Sequence, residues 1–268
     1  FASFRSLEFI YDPLLTFDKD MKVVPNLAES FKLSDDAKSL TIVLRKGVKF
    51  HKGQPLTSAD VKFTFERIAD EKTAAAARST FAGIDSIETP DANTVVFKLK
   101  APNGALPAAL TTLNAAILSK TWVEGGGDPA REANGTGAFK LVSWETDKVL
   151  KLERNADFWI KDQPLLDGIE LRIIPDEATI LAGLRAKTLD WAYLNDPRIG
   201  QRAAAESGLQ VWKATSLSYH VLQLNASRDV FKDVKVRQAV ACAIDRQEVL
   251  NTASLGDGSV TSPATPPF

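Results

Sequence analysis

The stretch from Glu29 to Lys100 limits what this chain can fold into more than any other feature. From Glu29 to Arg45 it reads as two extended runs, ESFKLS and LTIVLR, joined by a polar DDAK turn. IDSIET and NTVVFKLK repeat the plan around Pro90, Asp91 and Ala92. In the last run Val95, Phe97 and Leu99 alternate with Val96, Lys98 and Lys100, as a hairpin with one wet face requires. Between the two hairpins lies TSADVKFTFERIAD. Thr57 as N-cap with Asp60 three residues later makes a capping box, with Asp in place of the usual Glu. Val61, Phe65 and Ile68 then fall on one helical face.

The flanking segments follow the same logic. SLEFIYDPLL predicts a short helix with Leu7, Ile10 and Leu14 on one face, limited by Pro13. AFKLVSW and KVLKLER predict a third hairpin. GIELRIIP reads as a strand, followed by a helix containing Ile180, Leu181 and Leu184 and then a short strand, LDWAYL. Such a strand–helix–strand unit predicts a parallel crossover. DVKVRQAVACAI is helical by pattern, with Val236, Val240 and Ala243 on one side, and Asp245 with Glu248 opens a further helix through a second capping-box pattern. No internal repeat and no low-complexity segment interrupts this mixed α/β order.

Composition removes several function classes. With 44% hydrophobic and 25% charged residues over 268 positions, the chain can build a substantial core and has the length of about two domains. The 33 basic and 34 acidic residues cancel, which removes the global electrostatic case for binding nucleic acid. Cys242 is the single cysteine, so no disulfide framework exists, and no apolar run approaches the ~18 residues of a membrane span. The chain starts at Phe1 and its one methionine is Met21, so an upstream segment is expected to have been removed. The turn-rich TSPATPPF reads as a cut rather than a designed terminus.

Catalytic chemistry finds little to build on. His51 and His220 sit in no metal-ligand spacing, and no GxSxG elbow accompanies a serine. His51, before Lys52 and Gly53, reads as a surface turn histidine, and His220 as a strand residue within SYHVLQLN. Cys242, between two alanines on a helix, reads as a small buried thiol. Gly135-Thr136-Gly137 fails as a phosphate loop and reads instead as a place where two backbones cross closely. Gly125-Gly126-Gly127 before Asp128-Pro129 reads as a flexible loop. Trp144, Phe158, Trp159 and Trp212 are expected to serve as core or edge packing.

The order of segments resembles a known family. LAESFKLSDDAKSLTIVLRKGVKFHKGQPLTSADVKFTFERI is similar to the signature region of extracellular solute-binding proteins of family 5, the dipeptide/oligopeptide class of ABC-importer receptors. NGTGAFKLVSW, LERNADFW, IELRIIPDEAT and VRQAVACAID follow in that family's order. The resemblance implies a two-lobed α/β fold of the type II periplasmic-binding-protein kind, with an extra α+β subdomain. It assigns residues 12–134 to that inserted subdomain, 1–11 and 135–224 to the central sheet of the first lobe, and 225–268 to the start of a largely missing second lobe. YHVLQLNAS would be the first crossover between the lobes.

The resemblance also implies a function. A receptor of this family captures a peptide or similar small solute by hinge closure and passes it to ABC transporter permease subunits in the membrane. It works as a monomer without a cofactor, bound metal or nucleic acid, in the periplasm or outside the cell, with a lipid anchor in some full-length forms. Ligand contacts are expected from Phe1, Phe4, Arg78, Phe81, Asn114 and Tyr219. The competing readings are an extracellular peptide hydrolase and a ligand sensor that uses the same fold without transport.

Overall fold

Pro13 decides how the described chain begins. The computed structural model describes residues 6–214 and 221–260, divided into two units, Phe1–Ile173 and Ile174–Phe268. After Ser6 the chain makes a single helical turn, in which the Tyr11 N–H donates to the Leu7 carbonyl at 2.8 Å. Proline cannot donate, and it drives the preceding residue out of helical geometry. The chain therefore extends into strand β1 (Leu15–Phe17), paired antiparallel with β2 (Val23–Pro25). The expected helical face does not form: Ile10 enters one hydrophobic core and Leu14 another.

The larger core lies under a four-stranded antiparallel sheet. β3 (Ala28–Leu33) and β4 (Ser39–Leu44) form the first hairpin, β5 (Ile84–Asp91) and β6 (Thr94–Leu99) the second, in the spatial order β3-β4-β6-β5. Leu40, Ile42 and Leu44 of β4 are buried with Val95, Phe97 and Leu99 of β6, while the residues between them stay partly exposed. Period-two alternation has thus put one face of the sheet against the core. Helix α1 (Ser58–Ala69) covers that face with Val61, Phe65 and Ile68. Phe65 meets Phe97 and Phe81 edge-on, with ring centroids 5.1 and 5.0 Å away.

The cap of α1 also works at long range. The backbone N–H and the hydroxyl of Thr57 both donate to Asp60 Oδ2 at 2.8 Å. The other carboxylate oxygen of Asp60 accepts from the Lys120 N–H at 2.8 Å, tying α1 to a helix 60 residues away. Two short helices, α2 (Arg78–Phe81) and α3 (Leu106–Ala109), and then α4 (Lys120–Glu124) complete this part of the fold. Gly127 packs against the indole of Trp122 on α4, and a β-carbon there would collide with the ring. The Gly125–Gly127 loop is therefore seated on a side chain.

A smaller core joins Ile10 and Tyr11 to Phe139 and Leu152. Its sheet is antiparallel throughout: β7 (Phe139–Glu145), β8 (Val149–Arg154) and β9 (Gly168–Arg172). The crossing expected at Gly135-Thr136-Gly137 is present. A β-carbon on Gly135 would fall on the Ile10 carbonyl, and one on Gly137 would lie 2.6 Å from the Ile10 carbonyl carbon.

In the second unit, helix α5 (Glu177–Arg185) carries Ile180, Leu181 and Leu184 as expected. Leu189 to Leu194 is not a strand, and β9 pairs with β8 alone, so the parallel crossover is absent among the described residues. A strand is stabilised by a hydrogen-bonding neighbour, and no described strand pairs with this segment. Trp191 stands exposed, as do Trp144 and Trp212, against the packing role expected of the last two. Helices α6 (Pro197–Ala204), α7 (Asp229–Lys232), α8 (Val234–Ala243) and α9 (Arg246–Ala253) follow. Asp245 caps α9 by accepting from the Gln247 and Glu248 N–H groups, as its pattern predicts. Cys242 is exposed rather than buried, because no residue of α8 is covered by a core. His220 lies outside the described residues.

Candidate functional site

Two open grooves on the first unit collect the side chains suited to recognition. One, of about 640 Å³, runs between α1, α2 and the start of β5. Phe65, Phe81, Ile84 and Ile87 line it with Arg78 and Lys100, and Glu66 and Asp85 add the opposite charge. Arg78 arrives there through α2 and is exposed, donating from Nη2 to Glu71 at 2.6 Å and from Nε to the Ala69 carbonyl at 3.1 Å. Phe81, one turn on, is nearly buried with its ring edge against Phe65.

The second groove, of about 470 Å³, is polar and sits where the two cores meet. Tyr11, Asp12, Asn26, Thr111, Thr112 and Asn114 are among the residues that line it. Asn114 is exposed within the short 3₁₀ turn Leu113–Ala115.

Asp12 is the hub beneath this groove. Its Oδ2 accepts from the Thr136 hydroxyl at 2.8 Å and from the Trp159 indole N–H at 3.2 Å. Burial raises its carboxyl above the ordinary carboxylate value, opposed by hydrogen bonds from Thr136, Trp159 and Asn26. Arg45 lies over the Trp159 ring at 5.1 Å and donates to the Asn26 carbonyl at 2.6 Å. Asn26 in turn donates to the Pro13 carbonyl at 3.0 Å. Tyr11 is also pushed up by burial, and its hydroxyl accepts the Asn134 N–H at 3.4 Å. Hydrogen bonds from Thr136, Trp159 and Asn26 hold this carboxyl in place in the groove wall.

The structure thus brings Arg78 and Phe81 to one groove and places Asn114 on the other. Phe1, Phe4 and Tyr219 lie outside the described residues. Sequence reasoning missed Asp12, Asn26, Asn134 and Asn155. The signal for Asp12 was available, since it is the one carboxylate inside the apolar run FIYDPLL. His51, expected on the surface, is partly buried, with its Nδ1 out of reach of solvent: its Nε2–H donates to the Gly137 carbonyl at 2.9 Å. No cluster of three or more metal-ligating side chains occurs among the described residues.

The four-stranded sheet under α1, joined through the glycine crossing to the β7–β9 sheet, is the α/β fold of type II periplasmic binding proteins. The oligopeptide-binding protein AppA of Bacillus subtilis, solved with a nonapeptide, superposes with a TM-score of 0.87 at 31% identity, over 97% of this chain and 53% of its own. NikZ of Campylobacter jejuni, solved with Ni(L-His), superposes with a TM-score of 0.86 at 26% identity, over 94% of this chain and 50% of its own. Residues 22–268 match the bacterial extracellular solute-binding proteins, family 5 Middle, and the chain belongs to that family. In sequence it is 32% identical to AppA of Bacillus subtilis strain 168 over 261 residues, 94% of this chain and 47% of that protein. The chain spans about half the length of the curated relatives it matches. The family is one of extracellular binding proteins, and among the described residues no helix is long and apolar enough to cross a membrane.

Proposed function

We propose that the chain is the recognition part of a receptor that captures a peptide or similar small solute outside the cytoplasmic membrane and delivers it to the permease of an ABC importer. The observation that carries this reading is its family membership over residues 22–268, in a fold close to that of a protein solved with a nonapeptide. The grooves fit such a ligand. Arg78, paired with Glu71, and Lys100 stand with Glu66 and Asp85 beside apolar Phe81 and Ile84, a mixed charged and apolar lining that supports recognition of a peptide. Asn26, Asn114 and the Thr111 and Thr112 hydroxyls suit peptide amides. In this reading residues 12–134 are the inserted subdomain, 1–11 with 135–224 the first-lobe sheet, and 225–268 the start of the second lobe. The division is supported by the two separate cores, one drawn from Leu14 to Ile117 and the other built on Ile10, Tyr11, Phe139 and Leu152.

A ligand stabilises whatever state binds it, by ~2.7 kcal/mol at a hundred times its dissociation constant. A thermal-shift screen of dipeptides, longer peptides and a nickel–histidine complex should therefore raise the melting temperature for one class, and Arg78→Ala or Asn114→Ala should reduce that shift. Peptide cleavage products in the same mixtures, detected by mass spectrometry, would favour the hydrolase reading and overturn this one.

A further inference from the structure

The ring of His51 meets the segment Gly135–Gly137 at one carbonyl. It sits in the tight turn between Phe50 and Gln54, where Gly53 takes a left-handed φ of +92° and the Phe50 N–H donates to the Gln54 carbonyl at 2.8 Å. Its imidazole reaches the Gly137 carbonyl at 2.9 Å, and Asn155 Nδ2 donates to the same oxygen at 3.0 Å. A carbonyl only accepts, so Nε2 must carry the proton and Nδ1 the lone pair. That Nδ1 is the one buried side-chain nitrogen or oxygen without a hydrogen-bond partner among the described residues.

The surrounding bonds make this contact a seam. The His51 N–H donates to the Gly135 carbonyl at 2.8 Å, and the Lys52 N–H donates to Asn134 Oδ1 at 2.9 Å. On the far side the Gly137 N–H donates to the Ile10 carbonyl at 2.9 Å, one residue before Tyr11 and two before Asp12. The ionisable groups around the ring come from every packed element. Lys140 on β7 repels a second positive charge. Lys52 on the same turn is paired with Glu132 and lies 4.9 Å over the Trp122 ring. Tyr11 is engaged at Asn134, and Asp12 at Thr136.

We propose that His51 is an acid-sensitive pin: protonation at Nδ1 opens the seam between its turn and Gly135–Gly137, and so loosens the wall that Tyr11 and Asp12 give to the polar groove. The new N–H would be a buried donor without an acceptor, next to a like charge, which costs free energy until the seam admits water. Burial already holds the ring below the ordinary histidine value of 6.5, so the open state binds the proton first. Sign follows from linkage. The open form takes up one proton more than the closed form as pH falls below that value, so acid favours opening by up to about tenfold per pH unit.

Amide hydrogen exchange on the chain at pH 7.5 and 5.5, each corrected for intrinsic exchange, tests this. Protection at His51, Lys52 and Gly137 should fall about tenfold relative to Val95 and Phe97 of β6. His51→Gln retains an N–H donor for Gly137 without titrating, and should hold its protection at both pH values. Unchanged protection in the wild type, or the same loss in His51→Gln, overturns the proposal. Asp12→Asn should keep the loss; its disappearance there would assign the effect to the carboxyl instead. Should His51→Gln not fold, the wild-type ring is followed by NMR. Titration of folded His51 at or above 6.5, with no change at Gly137, would also overturn the proposal.

Discussion

Helices α1 and α9 carry the same kind of start signal and end differently. Each opens with a side-chain cap, built from Thr57 and Asp60 in one and from Asp245 in the other. Helix α1 buries Val61, Phe65 and Ile68 in a core that reaches from Leu14 to Ile117, whereas α9 buries no residue. Capping is local and satisfies the first turn's N–H groups wherever the helix lies. Burial needs a second surface, and it supplies most of the stability of a helix in a folded protein. The contrast separates a helix that starts correctly from a helix that holds a fold together.

The sharpest test of that contrast lies outside both helices, at the crossing that locks the first unit. Gly135→Ala should be the most damaging change, costing about 4 kcal/mol or more, because the added β-carbon meets the Ile10 backbone and no side chain can yield. Urea unfolding measures it, and a loss under 1 kcal/mol would mean the crossing is softer than its geometry. Phe65→Ala should follow at about 3–5 kcal/mol, while Val234→Ala on α8, 51% exposed, should stay within about 0.5 kcal/mol. Similar costs for the two would remove the distinction between covered and uncovered helices.

Asp60→Ala should cost about 2–3 kcal/mol, since it frees the Thr57 donors and the Lys120 N–H together. Asp245→Ala should cost about 1 kcal/mol, read as lost helicity by circular dichroism. The smallest effect is a pH dependence. The Asp12 carboxyl is raised by burial, so the folded state holds its proton more tightly than the unfolded state does. Wild-type stability from this group is fully present below the ordinary carboxylate value and declines as pH rises through the folded one. Asp12→Asn has no such decline and should gain on the wild type between about pH 4 and 7 in parallel melting curves. A constant difference over that range would place Asp12 in a wetter site than the structure shows.

Much of the scaffold was legible because its signals span few residues. The hairpins of β3–β4, β5–β6 and β7–β8 follow from alternation, and α1 from its capping box. The glycine crossing was legible in kind, since only residues without a β-carbon tolerate such an approach. The candidate site was legible in part. Arg78 and Asn114 do line grooves, but nothing local marks them as belonging to two different ones.

Alternation, capping and the stop at Pro13 act within a turn or a strand pair, so the amino-acid order alone determined the hairpins, α1 and the end of the first helical turn. The tertiary structure decided which carbonyl His51 would meet 86 residues away, that Asp12 would be held by Thr136 and Trp159, and that Leu189–Leu194 would pair with no strand among the described residues. It also decided that Cys242 would face solvent. These outcomes depend on how distant surfaces cover one another. A residue's environment there is set by backbone brought from elsewhere in the chain, which no short-range pattern encodes.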